Sequence, residues 1–260
     1  MHAFETALNQ LSDTPLLALV LAGAGLIAGS FIALLSSRMP HDEPVVMTRS
    51  RCRSCQASLG PGDLIPLLSY AFLRGRCRHC RTPIPPRYPL IEIAAALIGA
   101  LSAWLAPEGT IMLTALFGWW LLLIAVIDLE HFWLPDQLTL PLALAGLVAA
   151  MTFAPEALEA RVWGLVAGAG VLALLAWLYE KIRRREGLGG GDPRLLGAIG
   201  AWLGWQALPL VLLVASLAGL SLWLSRLIVR REGSLQDALP FGTFLALAAW
   251  LVWLWQPLSG

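Results

Sequence analysis

The chain has 260 residues, 58% of them hydrophobic and 13% charged, and a formal net charge of +1. The charged share is about half that of an average soluble domain, and the apolar residues run in long uncharged blocks, which excludes a soluble globular protein. The net charge selects no class of partner, because the charges are segregated; a lipid bilayer is the expected surrounding and no nucleic-acid partner is expected.

The first block, Pro15 to Ser37, is uncharged and long enough to span a bilayer, which takes about 20 residues. The residues before it include His2, Glu5 and Asp13 but no Lys or Arg. A signal peptide would have a basic start and a shorter apolar core, so this block reads as a retained span. The one substantial polar segment follows, Arg38 to Pro89, with eight arginines after Arg38, many prolines and all four cysteines. It is too short for a large core and needs a staple. No internal repeat stands out.

Further spans are predicted at Ile93–Ala106, Ile111–Ile127, Leu138–Phe153, Val162–Tyr179, Leu195–Trp205, Ala207–Leu224 and Leu239–Trp255. As one helix, Leu195 to Leu224 would be roughly 45 Å long against a core of about 30 Å. Cytoplasmic loops carry the Lys and Arg excess. If the run turns near Trp205-Gln206, all of the 18 Lys and Arg except Arg161 fall on one face. One long helix would send Arg226, Arg230 and Arg231 to the other. The prediction is therefore an all-α polytopic membrane protein with about eight transmembrane helices. Its N-terminus is periplasmic and the four-cysteine segment between the first two spans is cytoplasmic. The acidic residues Glu5, Asp13, Glu108, Glu156 and Glu159 fall on the opposite face. The expected domains are residues 1–38 (first helix), 39–89 (cysteine segment) and 90–260 (seven-helix membrane domain).

The cysteines read Cys52-Arg53-Ser54-Cys55 and Cys77-Arg78-His79-Cys80, with 21 residues between the pairs. Paired C-x-x-C knuckles near this separation offer four thiolates to a tetrahedral zinc ion. Disulfides are the alternative, disfavoured in a reducing cytoplasm. With four thiolate ligands and no open position the zinc would be structural. His79 could replace one cysteine but reads better as a neighbour.

Ionisable groups at membrane depth are costly and point to function. Asp128 closes an uncharged run, and Asp192 follows Gly189-Gly190-Gly191 and precedes Pro193. The local sequence reads Asp192 as a helix N-cap, with Pro at the first helical position. The predicted topology puts Asp128 and Asp192 on one membrane face, where two carboxylates in contact share a proton. One can then activate water while the protonated partner polarises a scissile carbonyl. The glycines would let a substrate backbone lie alongside. Asp136 reads as an N-cap and Asp63 as a turn residue. Glu92 begins the second span. Glu130, Glu180 and Glu186 read as solvated faces, with an acidic collar for a basic substrate as the other reading.

These residues resemble the bacterial type IV prepilin peptidases, the G-x-G-D aspartic membrane proteases. The likeness takes in Gly29-Ser30-Phe31, Arg38-Met39-Pro40, both cysteine pairs, Ile65-Pro66 with Ser69-Tyr70, and Leu73 to Cys77. It continues through Arg87-Tyr88-Pro89-Leu90-Ile91-Glu92, Ile127-Asp128 with Leu134-Pro135-Asp136, and Gly189 to Asp192 with Leu195 to Ala198. The resemblance implies an inner-membrane enzyme that cleaves the basic leader of type IV prepilins or type II secretion pseudopilins after a glycine. It also implies N-methylation of the new N-terminal residue, usually Phe, with S-adenosylmethionine. It maps the catalytic pair onto Asp128 and Asp192 and the zinc ligands onto Cys52, Cys55, Cys77 and Cys80; the contacts of S-adenosylmethionine are not assigned by it. Leu188, Arg194, Arg53, Arg78 and Ile32-Ala33 depart from the family pattern. The alternatives are a protease-only member, a methyltransferase or assembly factor with an inactive protease half, and a proton-coupled transporter.

Overall fold

The computed structural model describes residues 2–45, 49–184, 189–230 and 239–255. Of the residues named above, Glu186, Gly187, Leu188 and Arg231 lie outside the described residues, as do the side chains of His2, Glu5, Asp13 and Arg230. The α-helices are α1 (His2–Arg38), α2 (Leu68–Phe72), α3 (Arg87–Leu105), α4 (Ile111–His131) and α5 (Asp136–Phe153). They continue with α6 (Leu158–Arg183), α7 (Asp192–Leu203), α8 (Leu208–Arg230) and α9 (Phe241–Trp255). Each predicted span is helical, and α2 is a short turn of helix inside the polar segment.

Six of these helices, α1, α3, α4, α5, α6 and α8, are long and apolar enough to cross a membrane. Besides the five-residue α2, the remaining two, α7 with 12 residues and α9 with 15, are shorter. At 1.5 Å per residue they reach only about 18 and 22 Å. The outward faces are strongly apolar: Leu19 is 72% exposed and Leu144 64%. Water would not tolerate that surface, and lipid covers it at no cost. The protein is a multi-pass membrane protein. The break near Trp205 is present: α7 ends at Leu203, Gly204 adopts φ +82°, and a 3-10 turn at Trp205–Ala207 leads into α8.

Two compact units divide after Leu123. In the first, α1 packs on α3 through glycines. A Cβ at Gly25 would lie 2.3 Å from the Ala95 carbonyl oxygen, and one at Gly29 2.6 Å from the Glu92 Cα. Membrane helices gain little from burying apolar surface against each other, so small residues that let backbones meet set such crossings.

The polar segment corrects one sequence expectation, because it contains a repeat. Cys52 N–H donates to Ala57 O and Gln56 N–H to Cys52 O; 25 positions on, Cys77 N–H donates to Thr82 O and Arg81 N–H to Cys77 O. Gln56 and Arg81 both have positive φ, and each turn is closed by an isolated bridge, Arg51 with Ser58 and Arg76 with Pro83. The shared pattern R-C-R-x-C was readable, but eight residues are too few to stand out as a repeat.

In the second unit α7 is the buried element, packed among α5, α6 and α9. A Cβ at Gly200 would lie 2.1 Å from the Gly164 carbonyl oxygen, and one at Gly168 2.5 Å from that of Leu196. The Trp202 indole donates to the Leu142 carbonyl at 2.8 Å and meets Trp253 edge-on at 5.6 Å. Protein rather than lipid surrounds α7, which is why 12 residues suffice and why its first residue is firmly placed.

Candidate active site and metal centre

Asp128 stands in the last turn of α4, which closes with Phe132 N–H donating to Asp128 O and Phe132 at φ +51°. Its side chain is aimed at the start of α9. The Thr243 N–H donates to Asp128 Oδ2 at 2.6 Å, and the Thr243 hydroxyl lies 3.0 Å from the same oxygen and 3.0 Å from Ala125 O. A carboxylate at a helix N-terminus meets unsatisfied N–H groups and the positive end of the helix dipole. Asp128 therefore occupies a position built to hold an anion.

Asp192 is the first residue of α7. Gly191 rather than Asp192 is the N-cap, so the N-cap expectation is corrected, and the Asp192 carboxylate accepts the Gly189 N–H. Gly191 already has helical φ and ψ (−87°, −26°), which moves the helix start one residue earlier, and Pro193 takes the second helical position rather than the first. Asp136 is corrected likewise. Pro135 is the N-cap of α5, and the Asp136 carboxylate instead accepts an ion-paired hydrogen bond from Arg194, tying the start of α5 to that of α7.

Asp128 and Asp192 are each only 5% exposed and lie within electrostatic reach of one another. Leu134 packs against Gly191 and Gly242. A Cβ at Gly191 would come within 2.5 Å of the Leu134 Cβ, and one at Gly242 within 2.8 Å of its Cδ1 and 3.1 Å of Asp128 Cγ. Any side chain at either glycine would push into this corner. A Cβ at Gly189 would sit 3.3 Å from Asp192 Oδ2, so the glycine cluster leaves one approach to Asp192 open. Chemically, this is a buried carboxylate pair, Asp128 held by the Thr243 N–H and hydroxyl and Asp192 by the Gly189 N–H. Glu130 and Glu180, the described members of the suggested acidic collar, are exposed on α4 and α6. Sequence reasoning missed Gly242 and Thr243. The signal was Pro240-Phe241-Gly242-Thr243, a glycine opening the last apolar run, but nothing local links it to a residue 115 positions earlier.

The four cysteine sulfurs lie within 4.8 Å of one another, with Cys52 Sγ and Cys80 Sγ 3.8 Å apart. All four are unpaired by disulfides, and His79 is not in the cluster. The Thr82 hydroxyl, 3.2 Å from Cys80 Sγ, leads in pulling that thiol down to about 6. At Cys55 a backbone hydrogen bond with Ala57 favours the thiolate, but desolvation and the three neighbouring sulfurs outweigh it and push the thiol up to about 11. Four thiolates this close repel, and a bound cation is what removes the conflict. The cluster can hold a metal ion. Asp63 is confirmed in its turn, where its carboxylate accepts Gly60 N–H at 3.1 Å. It also pairs with Arg78 of the second knuckle at 2.7 Å, and Arg78 holds the Asp63 carboxyl below the usual range.

The family model described as "Bacterial Peptidase A24 N-terminal domain" matches residues 24–106, and the "Type IV leader peptidase family" model matches residues 115–224. Among curated proteins, the "Prepilin leader peptidase/N-methyltransferase" of Aeromonas hydrophila is 43% identical over 218 residues, covering 82% of this chain and 75% of that one. The protein of the same description from Pseudomonas aeruginosa is 36% identical over 257 residues, covering 89% and 88%. That from Burkholderia pseudomallei is 44% identical over 211 residues, covering 80% and 67%. No solved structure matches the chain.

Proposed function

Since the chain belongs to the type IV leader peptidase family, we propose that Asp128 and Asp192 are the catalytic pair of a membrane aspartic endopeptidase that removes the basic leader of prepilins or pseudopilins after a glycine. The observation that carries this reading is the burial of both carboxylates within reach of each other, Asp128 held at Thr243 and Asp192 by the Gly189 N–H. Asp128 has two Thr243 contacts against the single Gly189 N–H at Asp192, and this difference in donors is why we assign Asp128 as the base and leave the shared proton on Asp192. Asp128 takes a proton from water as the water oxygen attacks the scissile carbonyl carbon. The Asp192 proton goes to the carbonyl oxygen as it gains charge. When the tetrahedral species collapses, the C–N bond breaks, the leaving nitrogen takes up the proton now on Asp128, and the hydroxyl formed from the carbonyl oxygen returns its proton to Asp192 as C=O re-forms.

Thr243 is a positioning residue on this account. Thr243→Val keeps the shape and loses the hydroxyl contact to Asp128. A hydrogen bond to a charged group contributes about 1.5–3 kcal/mol, so kcat should fall roughly 10–100-fold with KM little changed. The acid limb of the pH–rate profile should move, and Thr243→Ser should restore both. Initial rates against pH for the three proteins check this.

Zinc is the metal we assign to Cys52, Cys55, Cys77 and Cys80. A tetrahedron with Zn–S bonds of about 2.3 Å has edges of about 3.8 Å, the spacing of Cys52 and Cys80. With four sulfur ligands the ion has a structural role, joining the two knuckles. S-adenosylmethionine, when bound, supplies the methyl group for the new N-terminus, and the relatives' shared description as N-methyltransferases supports that second activity. On this reading residues 39–89 form the zinc segment and 90–260 the peptidase part. The protein sits in the bacterial inner membrane with its N-terminus periplasmic and the aspartates at the cytoplasmic face. Prepilin leaders carry their basic charge on that side. Inside-out vesicles containing the protein should cleave an added prepilin, and right-side-out vesicles should not. Equal cleavage by both would contradict the assigned face.

A further inference from the structure

In the first unit, α2 and the turn before it present an exposed apolar face. Ile65, Leu68 and Phe72 recur at the i, i+3, i+7 spacing of one helix side and are 47%, 56% and 84% exposed. The other side is occupied. Pro66, Ser69, Tyr70 and Leu73 line a cavity of about 1160 Å³ shared with the cysteine knuckles, and Ile65, Leu68 and Phe72 do not. Gly75 N–H donates to Tyr70 O at 2.8 Å, and a Cβ at Gly75 would lie 3.0 Å from the Tyr70 ring. Packing toward the knuckles therefore leaves three large apolar side chains facing outward.

The position of α2 says what meets this face. It lies between α1 and α3, both long and apolar enough to cross a membrane. The Leu67 N–H, just ahead of α2, donates to Glu92 Oε2 at 2.8 Å. Glu92 is the sixth residue of α3, about 8 Å beyond its start, and α3 exposes Leu90 and Ile93 on either side of it. The bond holds α2 at a level where α3 already faces lipid. Leu67 adopts φ +58°, ψ −45°, and Leu68 N–H donates back to Pro66 O at 2.6 Å, a tight turn that is strained for a leucine. Such strain persists where the surroundings over-determine it. Charge fits the same neighbour. After Arg38 the segment to Pro89 has eight arginines against Asp42, Glu43 and Asp63, and Asp63 is paired with Arg78. Arg74 and Arg76, just past α2, are exposed. An apolar face edged by arginines is the pattern of a segment lying in a membrane interface, where anionic headgroups meet the basic rim.

We propose that α2 is an interfacial membrane anchor: Ile65, Leu68 and Phe72 enter the headgroup–acyl boundary of the bilayer, and Arg74 and Arg76 meet anionic lipid headgroups. The partner is the lipid surface itself. Its apolar face continues the lipid-facing surface of α3, and it keeps the cysteine segment against the bilayer rather than on a free tether. The anchor requires only that α1 and α3 cross a membrane, so it stands apart from the catalytic pair.

A spin label on Phe72→Cys tests the anchor. The full metal-loaded chain is labelled, with wild type treated alike as background, and placed in vesicles of phosphatidylethanolamine and phosphatidylglycerol. Oxygen concentrates among acyl chains and a neutral nickel chelate in water, so the label should collide several-fold more often with oxygen. More frequent collision with nickel would overturn the anchor by placing the label in water. Rare collision with both would overturn it by showing that protein covers the face. The preference for oxygen should shrink when phosphatidylcholine replaces phosphatidylglycerol, and no change would overturn the headgroup contacts. Leu68→Gln with Phe72→Gln gives a second test without a label. In the same vesicles it should keep the metal content of wild type and be cut by trypsin between Arg49 and Arg87 at least about tenfold faster, the effect of returning a large apolar side chain to water. An unchanged rate would overturn the anchor. If the double variant loses its metal, the label at position 72 decides alone.

Discussion

Asp128→Asn and Asp192→Asn should each lower leader cleavage by at least about 10³-fold, because an amide can neither take the proton from water nor give one to the carbonyl oxygen. The two changes should leave the fold intact, for different local reasons. An asparagine oxygen at position 128 can still accept the Thr243 N–H, so the anchor to α9 survives without the charge. At position 192 the asparagine oxygen can still accept the Gly189 N–H of the preceding glycine cluster. Removing one of two buried like groups also relieves their repulsion, so the melting temperature of Asp192→Asn in detergent should equal or exceed that of wild type. A variant that still cleaves at the wild-type rate contradicts the pair. A variant that unfolds contradicts the local account of its anchoring.

The second large effect concerns the metal. Metal binding supplies the equivalent of about 10–16 kcal/mol of folding free energy to small structural zinc sites, as much as a whole domain's net stability. Among its described residues, the segment holding the knuckles has short helical turns, two isolated bridges and the Asp63–Arg78 pair besides. Cys52→Ser with Cys80→Ser, or prolonged chelation, should therefore take metal content from about one ion per chain to near zero and unfold this segment. Its arginines make the readout direct: trypsin should cut rapidly between Arg49 and Arg87 in the metal-free protein and slowly in the holoprotein. Unchanged metal content after the double substitution would remove these cysteines from the ligand set.

Much of this architecture was legible in the sequence because membrane helices are set by uncharged length. Each predicted block is a helix, and the turn near Trp205 followed from counting which face the arginines reach. What composition could not give was how α7 is housed. A 12-residue helix crosses nothing by itself, and only its glycine contacts with α5 and α6 show that protein surrounds it. At the site, Asp128 and Asp192 stood out as charges beside apolar runs. Thr243 did not, because its meaning lies in a contact made by the fold; Leu134, wedged between Gly191 and Gly242, is of the same kind. The misplaced caps at Asp136 and Asp192 have one cause. Local propensity favours Asp at an N-cap, but the preceding Pro135 and Gly191 take that role; the Asp136 carboxylate then pairs with Arg194, and that of Asp192 lies within reach of Asp128.

The central claim is that one buried aspartate pair cuts the prepilin and the same chain then methylates the product. The most direct measurement is the mass of the pilin N-terminus after incubation of the purified protein with a prepilin and S-adenosylmethionine. The account predicts a chain shortened by its leader, beginning after the glycine and carrying one added methyl group. Recovery of intact prepilin, or of a product cut at another bond, would contradict it.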